Sequence, residues 1–176
     1  MPVSIAKHFL VPVAFLAAAS LPSHAQIGFY AGFTTSKLDV VNSSRTNGGT
    51  LGAFYDRAHF PFINFGVDLR AVVVNSDQYS KVTSVTAGPR VVLHLPVVPI
   101  RPYAEGLVGG GHVQSGQGIA AADKGSIAAG FAAGADLHVF PWIDWRVLDY
   151  SYTRLPGDHT GQNSVTTGIV VRIPFS

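Results

Sequence analysis

Long segments of this sequence alternate apolar and polar or small residues with a period of two, and that pattern restricts the chain more than any other feature. In the last segment Val165, Thr167, Ile169, Val171, Ile173 and Phe175 share one face, opposite Ser164, Thr166, Gly168, Val170, Arg172 and Pro174. Over 63–74, Ile63, Phe65, Val67, Leu69, Ala71 and Val73 oppose Asn64, Gly66, Asp68 and Arg70. Over 126–139, Ile127, Ala129, Phe131, Ala133, Ala135, Leu137 and Val139 oppose Gly130, Gly134, Asp136 and His138. Weaker alternation runs through 27–38, 49–57, 83–94, 100–113 and 143–154. A period of two sorts side chains onto the two faces of a β-strand, whereas a helix needs 3.6, which no stretch after residue 25 shows convincingly. The pattern predicts eight strands. Each is long enough to cross a bilayer at a tilt, which takes about 9–11 residues.

The segment 143–154 breaks its own alternation. Asp144 and Arg146 fit one polar face, but Asp149 falls on the other. A β-bulge at Val147-Leu148 restores the register and places Tyr150 and Tyr152 on the apolar face.

The connections alternate in kind. Three are short, apolar and Pro-containing: His59-Phe60-Pro61-Phe62, Leu95-Pro96-Val97-Val98-Pro99 and Phe140-Pro141-Trp142. Four are longer and polar, at 41–47, 75–78, 114–124 and 155–162. Consecutive antiparallel strands put the two sets at opposite ends. With eight strands, both chain ends fall at the tight-turn end.

The two strand faces choose between a membrane barrel and a soluble one. Five basic residues (Arg70, Arg90, Arg101, Arg146, Arg172) and five acidic ones (Asp56, Asp68, Glu105, Asp136, Asp144) fall on what reads as a single face. Gly, Ser, Thr and Tyr103 accompany them. A water-facing sheet surface carries Lys and Glu and seldom this much Gly. Arg with carboxylates among glycines suits a cramped interior, where charges must pair. The opposite face is Ile, Val, Leu, Phe and Ala, and it is read as facing lipid. Composition agrees, because charged residues are 12% of the chain while hydrophobic ones are 47%. A lipid belt cannot hold charge. Aromatic residues gather toward strand ends, among them Phe62, Phe140, Trp142, Trp145, Tyr150, Tyr152 and Phe175, as in interfacial girdles. An eight-stranded barrel is filled by its own side chains, so a lumen plugged by Arg–carboxylate pairs is expected rather than a wide pore.

The first 25 residues read differently. Lys7 and His8 precede an apolar, Ala-rich stretch from Phe9 to Leu21, and Ser23-His24-Ala25 puts small residues at −3 and −1 before Gln26. That is the layout of a cleaved secretory signal peptide over 1–25, leaving 26–176 as one barrel domain. With 12 Lys+Arg against 10 Asp+Glu and no basic run, neither a nucleic-acid arm nor a polybasic membrane patch is present. The absence of Cys removes disulfide scaffolds and thiol chemistry.

On these residues the chain resembles the small eight-stranded outer-membrane β-barrels, the OmpA-like and OmpX-like porin-type domains. The resemblance rests on Gly49-Thr50-Leu51-Gly52-Ala53-Phe54-Tyr55-Asp56, Phe65-Gly66-Val67-Asp68-Leu69-Arg70, Gly88-Pro89-Arg90, Arg101-Pro102-Tyr103-Ala104-Glu105, Gly134-Ala135-Asp136-Leu137 and the closing Gly168-Ile169-Val170-Val171-Arg172-Ile173-Pro174-Phe175. It covers essentially all of 26–176. It implies an all-β, antiparallel, up-and-down transmembrane barrel in the bacterial outer membrane. The partners it implies are outer-membrane lipids, lipopolysaccharide and the outer-membrane assembly machinery. The closing strand of such barrels ends in an aromatic residue; here Phe175 is penultimate and Ser176 follows.

Some such barrels modify lipid A, which takes a nucleophile and a base near the outer leaflet. Asp158-His159-Thr160, with Ser164 nearby, is the only local cluster of that type. It reads instead as a hydrophilic loop, since His, one residue, Ser, Asn is absent. His94, His112 and His138 lie on three strands without the spacing of a metal site, and Gly109-Gly110-Gly111 is not followed by the helix a phosphate cradle needs. The expectation is a monomeric, non-enzymatic outer-membrane barrel with a structural or surface-interaction role, without cofactor or metal. A lipid A-modifying enzyme and a secreted lipocalin-like barrel are the alternatives.

Overall fold

The computed structural model describes residues 25–38, 45–76, 80–95, 97–115, 122–155 and 160–175. Eight strands follow in chain order: β1 (Ala25–Leu38), β2 (Thr46–Phe60), β3 (Ile63–Ser76), β4 (Ser80–Leu93), β5 (Ile100–Ser115), β6 (Ala122–Phe140), β7 (Ile143–Leu155) and β8 (Thr160–Phe175). Every neighbouring pair is antiparallel, and β1 closes on β8, with Ala31 opposite Ile169 and Gly32 opposite Gly168. Closure leaves no edge strand, so the wall pairs its backbone on both sides of every strand apart from the local bulges.

Alternation carries through the ladder as inside and outside. On β8, Ser164, Thr166, Val170 and Arg172 are buried, while Val165, Thr167, Ile169 and Val171 are exposed. The outside presents Phe29, Phe33, Leu51, Val67, Leu69, Val108 and Ile127, each at least half exposed. Several strands run longer than their apolar patterns. β2 begins at Thr46, β6 at Ala122 and β8 at Thr160, inside segments that read as polar loops. The ladder is made by backbone groups, so it continues past the apolar belt where side-chain alternation fades.

The bulge in β7 is present. Ala135 faces Leu148 while Asp136 faces Arg146, which leaves Val147 as the extra residue. The same irregularity appears against β8 between Arg146 and Asp149. Asp144, Arg146 and Asp149 all turn inward and are buried, while Tyr150 turns out.

At the tight-turn end, Pro61-Phe62 joins β2 to β3 and Pro141-Trp142 joins β6 to β7. Backbone bonds tie these turns to neighbouring strands: His94 N–H donates to Phe62 O at 2.8 Å, and Arg172 N–H to Trp142 O at 2.8 Å. Trp142 holds a φ of 80°, a left-handed conformation that costs a non-glycine residue about 1 kcal/mol or more.

Candidate functional site: the lumenal charge cluster

The lumen divides along its length. Toward the polar-loop end, its side chains are hydroxyls and valines. Thr34 shares hydrogen bonds with Thr50 at 2.5 Å and Thr166 at 2.8 Å, and Ser36 Oγ accepts from Gln162 at 2.9 Å and Ser164 at 3.0 Å. Val72, Val74 and Val82 fill the remaining space. From mid-height down to the tight turns the lumen is charged.

Of the ten charged residues read from the sequence, Asp56, Asp68, Arg70, Arg90, Glu105, Asp136, Asp144, Arg146 and Arg172 are buried inside the barrel. Arg101 sits at the tight-turn mouth, with 17% of its side chain exposed. They come from β2 to β8, so sequence separation hides their proximity. Arg70 spans Glu105 at 2.8 Å and a two-pronged pair with Asp149 at 2.8 Å. Arg90 bonds Glu105, meets Asp56 at 3.3 Å and Asp136 at 3.5 Å. Arg146 bonds Asp136 at 3.0 Å and meets Asp149 at 3.4 Å. Arg172 bonds Asp136 at 2.7 Å, bonds Asp144, and meets Asp56 at 3.6 Å. Arg101 reaches Asp144 at 3.2 Å, and His138 Nδ1 lies 2.8 Å from the other oxygen of that carboxylate.

Three residues that the sequence reading left outside the ion-pair set complete it. Asp149 is the partner that Arg70 and Arg146 share, brought inside by the β7 bulge. Tyr30 donates to Asp68 at 2.9 Å and accepts from Arg70 at 3.1 Å. Phe54, 2% exposed, stacks with Tyr30, their ring centroids 6.4 Å apart. Guanidiniums and rings then alternate through the cluster. Arg172 lies 4.8 Å from the Phe54 centroid, and Arg90 lies 4.2 Å from Phe54 and 4.1 Å from Tyr103. Arg146 follows at 4.8 Å from Tyr103 and 3.9 Å from Tyr30. A guanidinium is flat and weakly hydrated, so a ring covers its face while carboxylates take its edge. The signal for this was available: inward positions occupied by Tyr30, Phe54 and Tyr103 opposite inward glycines. Gly28 lies under the Phe54 ring, where a Cβ would sit 2.0 Å from Cζ, and Gly134 lies under Tyr103.

Side chains from β1 to β8 interlock across the lumen, and every guanidinium inside the cluster meets more than one carboxylate. Among the described residues no group of three His, Asp or Glu side chains is arranged to hold a metal ion.

Solved structures of similar shape include small eight-stranded barrels of bacterial outer membranes. Neisserial surface protein A matches with a TM-score of 0.61 at 15% identity, over 82% of this chain and 96% of that one. The N-terminal β-barrel domain of Pseudomonas aeruginosa OprF matches at 0.58 and 12% identity, over 86% and 100%. Ail, the attachment invasion locus protein of Yersinia pestis, matches at 0.55 and 18%, over 87% and 100%. The fold is that of a small outer-membrane barrel. No protein-family model matches the sequence, and no curated sequence does either.

The aromatic residues read as interfacial fall into two groups. Phe62, Phe140, Trp142 and Trp145 ring the tight-turn end and are 48–62% exposed. Tyr150 and Tyr152 lie higher on β7 and pack against Phe131, with centroids 6.4 and 5.9 Å away. Residues 1–24, most of the segment 1–25 read from the sequence as a leader, together with Asp158, His159 and the side chains of Thr160 and Phe175, lie outside the described residues.

Proposed function

We propose that this chain is a monomeric, non-enzymatic barrel of the bacterial outer membrane, exported by the leader over 1–25 and serving a structural or surface-interaction role. The observation that carries the reading is the inversion of its two faces. Five arginines and six carboxylates lie inside or at the lumen mouth, while the outer wall is a continuous apolar surface. A soluble barrel reverses that order, putting charge in water and Val, Leu and Phe in the core. Exposing this much apolar wall to water would far exceed the few hundred Å² that soluble monomers tolerate. In lipid the same wall is at no disadvantage.

The plug supports a role other than conduction, since paired charges and rings fill the cross-section at the tight-turn half. Contact with the surroundings then falls to the polar loops at the other end. The names of Neisserial surface protein A and of Ail, the attachment invasion locus protein, fit a surface role of that kind. Outer-membrane lipids and lipopolysaccharide bathe the wall, and the assembly machinery inserts it.

Fractionation tests the reading. The protein should partition with outer membranes and resist carbonate extraction. Recovery from the soluble periplasm would point to a lipocalin-like barrel. The enzymatic alternative is tested separately by mass spectrometry of host lipid A with and without the protein. An acyl-chain difference that depends on His159 would replace the non-enzymatic reading.

A further inference from the structure

The charge cluster is not uniform in sign. Its deep part, around Arg70, Arg90 and Arg146, holds Asp56, Asp68, Glu105, Asp136 and Asp149, an excess of carboxylates. The mouth at the tight-turn end has the opposite excess. There Arg101, Arg172 and His138 all converge on one carboxylate, Asp144. Both oxygens of Asp144 are therefore engaged, and Arg101, bonded to it through one terminal nitrogen, borders open space.

That space is a recess of about 180 Å³ walled by Gln26, Arg101, His138, Trp142, Asp144 and Arg172, among others. A second recess of about 400 Å³, with His94, Leu95, Val98 and Pro99 in its wall, shares Arg101 and His138 with the first. We propose that this mouth is a binding site for an oxyanion, a free or terminal carboxylate or phosphate, with Arg101 as its principal ligand. A guanidinium edge offers two parallel donors at the spacing of two oxyanion oxygens, which ammonium groups do not. The apolar turn on one side lowers the local dielectric and strengthens the attraction. His94 reports the potential there. Its own burial, and then Arg101 and Arg172, hold its imidazole below the usual range, with Asp144 and His138 its other charged neighbours. The inference requires the barrel alone and is independent of its location.

The test uses the barrel refolded in detergent, with folding verified by its migration on an unboiled gel. Trp145→Phe leaves Trp142, in the wall of the recess, as the sole tryptophan. Phosphate, acetate and chloride are titrated at equal ionic strength. Phosphate, acetate or both should give a saturable change in Trp142 fluorescence that chloride does not, and the pattern between the two tells which oxyanion the site takes. Arg101→Gln should weaken it by at least about tenfold, the size of one lost charge-assisted hydrogen bond. Arg57→Gln, an outward-facing change at the same end, should leave it unaltered. The bound anion should also raise the titration midpoint of His94, read by NMR. An equal response to chloride, or undiminished binding by Arg101→Gln, overturns the proposal. Should Arg101→Gln fail to refold, the unmutated barrel decides: a His94 midpoint that neither anion moves overturns it as well.

Discussion

Asp149 shows how much depends on a single side chain when charges are buried together. It takes both terminal nitrogens of Arg70, meets Arg146, and accepts from Tyr103. Asp149→Asn keeps the shape and removes the charge that Arg70 and Arg146 share, leaving Arg70 to Glu105 and Arg146 to Asp136. Breaking one side of a buried pair costs about 3–5 kcal/mol. Urea unfolding in lipid vesicles should show a loss of that size, against less than about 0.5 kcal/mol for a change on the outer wall such as Val108→Ile. Arg172→Leu should be as damaging, because it strips Asp136 and Asp144 of a shared partner. His94 adds a pH dependence. Its folded-state value lies below the unfolded one, first through burial and then through Arg101 and Arg172. Its contribution is therefore fully present above the unfolded imidazole value of about 6.5 and is lost as pH falls through the folded one. His94→Asn should flatten the decline in stability below that point, measured as unfolding midpoints at pH 8 and pH 5.

At the scale of the element, the register of a strand is an all-or-nothing property, since a slip of one residue exchanges its faces. β8 offers the cleanest test. Ile169 is 59% exposed, opposite Ala31 on one side and Trp145 on the other, while Thr166 is 2% exposed and bonded to Thr34. Ile169→Arg puts charge toward the lipid near mid-depth, at a cost of about 2–4 kcal/mol. Thr166→Gln, on the lumenal side, is limited mainly by space. Folding yields in vesicles should fall sharply for the first and mildly for the second; the reverse order would mean the faces are inverted. These faces were readable because alternation is a local, one-dimensional signal, and so was the bulge, because Asp144, Arg146 and Asp149 cannot share a face without it. Strand ends were less readable. β6 begins at Ala122, inside a segment with the composition of a polar loop, because a backbone ladder leaves no mark on side-chain type. The partner of each charge was not readable at all. Arg70 and Asp149 are far apart in the chain and meet only when the barrel closes. Phe54 and Tyr30 were hidden for another reason: most aromatic residues among those described point outward, and the glycines beside Tyr30, Phe54 and Tyr103 mark the exceptions.

For the whole molecule, closure and the inverted faces act together. The ladder is continuous from β1 round to β8, so no strand can peel away without breaking two rows of backbone bonds at once. Inside, side chains from all eight strands interlock, so the wall cannot flatten without separating ion pairs. Outside, detergent can replace lipid on the apolar surface without reaching either. The folded cylinder should therefore survive in dodecyl sulfate at room temperature and migrate differently from a boiled sample on a denaturing gel. The contribution of the plug to that resistance can be separated from that of closure. Asp149→Asn leaves the ladder intact and weakens only the interior, so its barrel should still form but convert to the boiled position at a lower temperature than the parent. A deletion of Val147 and Leu148 together removes the bulge and one residue more, which, along the rest of β7, exchanges inside for outside relative to Asp144 and Arg146. Asp149 would then face lipid, or Asp144 and Arg146 would, and no register keeps all three inside. That variant should give no unboiled band of altered mobility at all. If it migrates as the parent does while Asp149→Asn does not form, the interior charges rather than the register decide whether the barrel closes.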